Sequence, residues 1–219
     1  MLFLVFINEL PTVVNMPTEL YADDALIHNI FHKKIDQSVV ESTLQPELSA
    51  AEDWALSWRG NFGQPKTKFL FFNGANSKGY NPSNHSLSIE GVKIDLVKCH
   101  KHLGITISST LEWHTHISDV IRVGKQRAGL LRWMCRDLPQ AVAVELYLSY
   151  VRPVLEYGSA VWHSGLREID ALAIERLQAS VARTILRASR DRTKSSLFAE
   201  LNWPSLRWRR EIGCLCLLH

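Results

Sequence analysis

Two aspartates in immediate succession, Asp23 and Asp24, sit between an apolar approach, Leu20-Tyr21, and an apolar exit, Ala25-Leu26-Ile27. Residues 18–21 and 25–30 each have the composition of a short half-buried strand, so the acids fall at the turn of a hairpin. Successive strand residues point to opposite faces, which lets one carboxylate face a cleft while the other bends around the turn. Adjacent carboxylates repel each other, and a chain that keeps them together needs a cation or a set of donors to offset the cost. Mg²⁺ is the natural cation: a hard ion that takes a few carboxylates and completes its shell with water or phosphate oxygens. An Asp-Asp pair is also ordinary turn chemistry, because Asp tolerates turn conformations and bonds its own backbone.

Around that hairpin the apolar pattern divides the chain in two. Residues 2–10 have helical spacing and end at Pro11. From 36 to 58, Val40, Leu44, Leu48, Ala51, Trp54 and Trp58 recur on one helix face, interrupted at Pro46. Trp54 and Trp58, one turn apart, read as core anchors rather than as stacking platforms. Residues 67–72 are β-like, 73–84 form a loop rich in Gly, Asn and Ser, and Glu90-Gly91 is a hairpin turn between 87–89 and 92–94. A strand is predicted over 97–108. Beyond Leu111 the texture becomes helical: 113–135, 141–150, 155–162, 169–188 and 205–217. The fold class is therefore α+β, with a mixed part over 1–110 and an all-α part over 111–219.

Charge follows the same division. Residues 1–110 hold 9 Lys and Arg against 11 Asp and Glu, and residues 111–219 hold 16 against 11, within an overall net charge of +3. A basic helical half after a mildly acidic one suits a phosphate-bearing partner. Cys99, Cys135, Cys214 and Cys216 show no Cys-x-x-Cys pairing or secreted spacing and read as reduced thiols, which points to the nucleus or cytoplasm and not to secretion. No stretch has the length needed to span a bilayer. The chain opens inside an apolar run with no N-cap or lead-in, the look of a truncated protein.

Several segments together resemble the reverse transcriptases of non-LTR (LINE-type, jockey-like) retrotransposons. Residues 2–11, Leu-Phe-Leu-Val-Phe-Ile-Asn-Glu-Leu-Pro, look like the end of that family's motif B. Tyr21-Ala22-Asp23-Asp24 is similar to its catalytic motif C. Trp54-Ala55-Leu56-Ser57-Trp58 followed by Pro65-Lys66-Thr67-Lys68-Phe69-Leu70 looks like motif D, and His102-Leu103-Gly104-Ile105 resembles motif E. Residues 147–162, with Val151-Arg152-Pro153-Val154-Leu155-Glu156-Tyr157-Gly158, resemble the segment that follows the polymerase core. The resemblance implies a partial palm, an antiparallel sheet with helices, followed by a thumb-like helical region. It implies template-directed addition of deoxynucleotides to a primer, with Mg²⁺, an RNA template, a DNA primer and dNTPs as partners.

The same resemblance assigns roles residue by residue. Asp23 would be a metal ligand and Asp24 a second, weaker one, while Tyr21 and Ala22 would lie against the primer terminus. Lys66 would sit near the incoming triphosphate as a donor to the leaving pyrophosphate, although it is also simply a lysine ahead of a strand. His102, Leu103 and Gly104 would form a primer grip, Gly104 letting backbone approach the strand; a Gly inside a strand also marks a bulge. The family's third carboxylate, from motif A, lies before the segment where these 219 residues begin, and most of motif B is absent with it. Glu9 closes a helix and Glu19 abuts the hairpin, so neither substitutes by spacing. The expectation is an inactive fragment.

Other features are less specific. Arg122, Lys125, Arg127, Arg132 and Arg136 on one helix, and Arg207, Arg209 and Arg210 near the C-terminus, are candidate phosphate-backbone contacts; solvated helix faces would look the same. Cys99, His100, His102, His114 and His116 match no closed zinc signature. The rival reading is a non-catalytic nucleic-acid-binding or decayed retroelement-derived protein.

Overall fold

The first apolar run makes two short helices. α1 (Leu2–Ile7) is followed by α2 (Leu10–Val13), and Pro11 lies in the first turn of α2 rather than ending α1. A first-turn proline is harmless there because its missing N–H would have had no intrahelical partner. The computed structural model describes residues 2–31, 36–72 and 81–217, so residues 73–80 of the Gly-, Asn- and Ser-rich stretch lie outside the described residues. The chain divides into two units, Met1–His100 and Lys101–His219.

In the first unit α3 (Gln37–Ser57) is the organising element. Asp36 caps it by accepting from the Val39 N–H at 3.0 Å. Pro46 stays inside it without breaking it, at a local cost of ~3 kcal/mol that tertiary contacts on both sides offset. At its C-terminal end Arg59 adopts φ +56°, and the Gly60 N–H reaches the Ala55 carbonyl at 2.8 Å, a Schellman closure. Trp54 and Trp58 both donate their indole N–H to one carboxylate oxygen of Glu9, at 3.0 and 2.7 Å. Phe6 stacks on Trp54 at 4.7 Å and meets Trp58 edge-on at 5.3 Å.

The strands of the described residues pair in twos, not as one antiparallel sheet. β1 (Thr18–Tyr21) and β2 (Asp24–Ile27) form the first hairpin. β3 (Lys68–Leu70) runs parallel to β6 (Asp95–Val97). Parallel pairing needs a crossover of a dozen or more residues, and the chain between them supplies it, carrying the β4 (Ser88–Ile89) and β5 (Val92–Lys93) hairpin on the way. Its turn is Glu90-Gly91, with φ +50° and +72°, as a type I′ turn requires.

The open edge of β4 is covered by side chains of α3. Glu41 accepts from the Ser86 N–H and hydroxyl at 2.8 and 2.7 Å. Gln45 accepts from the Ser88 N–H and donates to its carbonyl at 3.0 and 3.1 Å, and Glu52 accepts from the Glu90 N–H. Alternate strand residues present their backbone groups on one edge, and a helix stripe stands in for the missing strand.

The second unit opens on the hairpin β7 (Cys99–His102) and β8 (Ile105–Ser108), so the division of the chain falls inside β7, ahead of the change of texture near Leu111. The run expected as one strand is two, because Leu103 and Gly104 turn it. α4 (His114–Met134) and α8 (Glu168–Ile185) are the long helices. α5 (Gln140–Leu146) passes through a π-helical segment, Tyr147–Val151, into α6 (Arg152–Glu156). Pro153 explains the widening: it cannot donate to Ser149, and the Arg152 N–H reaches back five residues to the Tyr147 carbonyl.

The helix expected over 155–162 breaks at Gly158, which adopts φ +61°, and resumes as α7 (Ser159–Trp162). α9 (Lys194–Leu201) was not anticipated; α10 (Leu206–Cys216) closes the described chain. The core gathers Ile117 and Leu131 of α4, Ile174 and Ala182 of α8, and Tyr147, Leu155, Trp162 and Leu206. Among the described residues no helix is long and apolar enough to cross a membrane.

Candidate functional site

The register of the first hairpin, Thr18 with Ile27 through Tyr21 with Asp24, leaves Ala22 and Asp23 as its two-residue turn. Asp24 is therefore the first residue of β2 rather than part of the turn. Ala22 adopts φ +54°, the left-handed region that a primed hairpin turn demands and that a residue with a Cβ enters at a cost. The tight turn pushes both carboxylates into solvent, and among the described residues neither has a hydrogen bond or ion pair. Tyr21 beside them is 66% exposed.

Next to this turn lies an open apolar cleft of about 510 Å³, lined by Leu4, Val5, Ile7, Asn8, Leu20 and Ala22. Two unneutralised carboxylates on neighbouring residues suit part of the shell of a hard divalent cation. The fit is partial, since no group of three or more His, Cys, Asp or Glu comes together among the described residues. Glu9 is held by the two indoles, and Glu19 pairs across the ladder with Leu26.

Lys66 is exposed in the turn that leads into β3, where its backbone N–H donates to the Gly63 carbonyl at 2.8 Å. Among the described residues no hydrogen bond or ion pair connects it to Asp23 or Asp24.

In the second unit His102, Leu103 and Gly104 occupy the tip of the β7–β8 hairpin. Leu103 (φ +47°) and Gly104 (φ +82°) form its turn, not a bulge, and the Tyr157 hydroxyl donates to the Leu103 carbonyl at 2.8 Å. The nearby histidines do not gather. His114 Nδ1 lies 2.9 Å from Asp170. His116 is buried, its Nδ1 accepts from the Thr106 N–H at 3.3 Å, and burial holds its pKa below the usual value.

On α4, residues 100° apart around the axis place Arg122, Lys125 and Arg132 in one sector together with Gln126, Gly129 and Trp133. Among the described residues Arg122 pairs only with exposed Asp119, at 3.1 Å, and Arg132 reaches the Ser180 hydroxyl at 3.3 Å. Arg136, just past the helix, is exposed. Arg127 lies outside that sector: it donates to the Tyr150 carbonyl at 2.6 Å and covers the Tyr150 ring at 4.5 Å. Trp133 is 68% exposed, and a side chain at Gly129 would meet nothing within 4 Å. Neither was singled out from the sequence. The signal was there in the spacing, since Trp133 stands three turns beyond Arg122.

The C-terminal arginines are not one surface patch. Arg207 is exposed and paired with Glu211 at 3.2 Å. Arg209 grips Glu156 through two nitrogens. Arg210 is 1% exposed, its guanidinium 5.7 Å from the Trp162 ring, with none of its three side-chain nitrogens hydrogen-bonded. It lies on the buried face of α10 with Leu206, one turn earlier, and so cannot meet a phosphate backbone.

An exposed aspartate doublet on a tight hairpin, with a basic and aromatic helix face elsewhere in the chain, goes with a sequence similar to the reverse transcriptases of non-LTR retrotransposons. The particular relative is the RNA-directed DNA polymerase from mobile element jockey of Drosophila melanogaster, 27% identical over 170 residues. That stretch covers 74% of this chain and 18% of the relative, so the chain spans under a fifth of that protein's length. No family model matches the chain, and no solved structure matches it.

Proposed function

We propose that this chain is part of an RNA-directed DNA polymerase of the non-LTR retrotransposon kind. It would comprise the palm-like portion with the carboxylate hairpin and a thumb-like helical portion, the change falling between His100 and Leu111. The observation that carries the reading is the state of Asp23 and Asp24: adjacent, exposed and without a protein counter-charge among the described residues. In water such a pair repels only weakly, so it stands open to a divalent cation, whose coordination would turn that repulsion into attraction.

Mg²⁺, when bound, would neutralise charge on the phosphate oxygens during nucleotidyl transfer. Asp23 and Asp24 would hold it, the small Ala22 would leave room beside them, and Tyr21 would offer its ring to the primer end. Lys66 would place a positive donor at the triphosphate. The partners of the parent enzyme are an RNA template, a DNA primer and dNTPs, with an intracellular site of action.

On this reading Asp23 and Asp24 would be two of the three carboxylates such a site uses. These 219 residues should give no Mg²⁺-dependent primer extension alone; extension that disappears in Asp23→Ala would overturn that expectation. The hairpin is tested separately by Mn²⁺ titration followed by electron paramagnetic resonance. Weak binding should be lost in the Asp23→Ala, Asp24→Ala double variant, and identical titrations would sink the metal reading.

The exposed sector of α4 favours a second reading beside the first, nucleic-acid binding without catalysis. It requires duplex binding that survives both aspartate substitutions.

A further inference from the structure

We propose that Tyr157 is a positioning residue for the Leu103-Gly104 tip, so that the β7–β8 hairpin and the Tyr157-Gly158 break act on nucleic acid as one unit; the nucleic-acid part rests on the reading of that tip as a primer contact. The tip has a built-in difficulty. A type I′ turn needs positive φ at both central residues, which Asn-Gly accepts readily. Here the first of them is Leu103, at φ +47°. A branched aliphatic side chain gains nothing in that region, and no polar group of its own can fix the turn locally.

Tyr157 supplies what the turn lacks. Its hydroxyl donates to the Leu103 carbonyl at 2.8 Å. Its ring lies against Gly104 so closely that a Cβ there would be 3.1 Å from Cε1 and 3.6 Å from Cζ. Gly158 completes the fit from the other side. It adopts φ +61°, and the Ile105 Cδ1 atom occupies the space its side chain would fill, 2.5 Å from the Cβ position.

The main chain of Tyr157 is fixed, although the residue as a whole is 57% exposed. Its carbonyl accepts the indole N–H of the fully buried Trp162 at 3.1 Å. A path of defined contacts thus runs from the core through Trp162 and the Tyr157 main chain to Leu103, a residue left 37% exposed at the end of the hairpin. A tip held this way meets a strand without first having to be ordered, which is where pre-organisation gains affinity.

The test uses the full chain and Tyr157→Phe, which keeps the ring and removes only the hydroxyl. Amide exchange at Ile105, the first residue after the turn, should quicken about fivefold, the scale of one ordinary hydrogen bond, with the melting temperature little changed. Affinity for an RNA·DNA hybrid with a recessed 3′ end should fall about threefold to fivefold, on the same scale, while affinity for a blunt hybrid stays the same. In a Leu103→Asn background, where the turn sustains itself, Tyr157→Phe should leave tip exchange unchanged; affinity is not compared there, because Leu103 is itself part of the tip. Unchanged tip exchange in Tyr157→Phe overturns the proposal, and so does faster exchange with undiminished binding of the recessed hybrid. If the unaltered chain does not prefer the recessed hybrid, the primer-contact reading falls instead, and the exchange experiment still decides whether Tyr157 sets the tip.

Discussion

The formal charge of a residue says little until its surroundings are known, and Asp23, Asp170 and Arg210 mark the range. Asp23 is bare and in water. Arg210 is buried with its guanidinium unbonded, and burial lowers its pKa, although Glu175 and Glu156 oppose this. Asp170, also buried, is bonded on both oxygens: Arg167 reaches Oδ2 and His114 reaches Oδ1, each at 2.9 Å. Burial alone would raise the Asp170 carboxyl, but the bonds from Arg167 and His114 outweigh it and hold the pKa below the usual value. A carboxyl with a depressed folded-state pKa contributes stability above its unfolded value, near ~4, and loses it as pH falls through the folded value. Asp170→Asn should therefore cost on the order of 2 kcal/mol at pH 7, below the ~3–5 of a fully buried pair because Arg167 and His114 are half exposed. Urea denaturation at pH 7 and again below pH 3 checks this. The gap between variant and parent should close at the acid end, and a gap independent of pH would mean the carboxylate is not the stabilising species.

At the scale of elements, α4 and α8 are held together by a close approach. A Cβ on Gly124 would come within 2.7 Å of Leu177 Cδ2 and 2.8 Å of Leu155 Cδ2. Replacing a mid-helix glycine by alanine ordinarily gains ~1 kcal/mol. Here overpacking costs about 1–3 kcal/mol, so Gly124→Ala should lower the melting temperature. A rise would show that the leucines yield freely.

Elements whose cause is local were legible in the sequence. The Glu90-Gly91 turn, the first hairpin and the periodic helices α3, α4 and α8 all stand near their expected positions. Those that depend on partners distant in sequence were not. Nothing local announces that β3 pairs in parallel with β6, or that Pro153 widens the preceding turn rather than ending a helix. Leu103-Gly104 does not look like a hairpin turn without Tyr157 beside it. The same holds for the site residues. The doublet declared itself by adjacency, whereas the burial of Arg210 and the exposure of Trp133 depend on which way each helix is rolled against the core.

For the molecule as a whole, a net charge of +3 predicts little about binding, and what matters is which cations are exposed. In the second unit Arg122, Lys125 and Arg132 share an exposed face of α4, while Arg209 is committed to Glu156 and Arg210 is enclosed. Each phosphate contact contributes about 0.9 to the slope of log affinity against log salt on a duplex. Replacing Arg122, Lys125 and Arg132 together by Gln should therefore lower that slope by about 2 to 3. Arg210→Met should leave it unaltered, because the guanidinium never reaches a phosphate. Trp133→Ala separates stacking from charge: it should weaken binding to a single strand, by about 1–3 kcal/mol if one base stacks on it, with the slope kept. Fluorescence anisotropy across a salt series measures all three variants on one footing. A slope that falls with Arg210→Met and not with the α4 triple substitution would show that the basic contacts lie on α10. The exposed face of α4 would then be solvated surface, and the nucleic-acid reading of this half of the chain would have to start from a different helix.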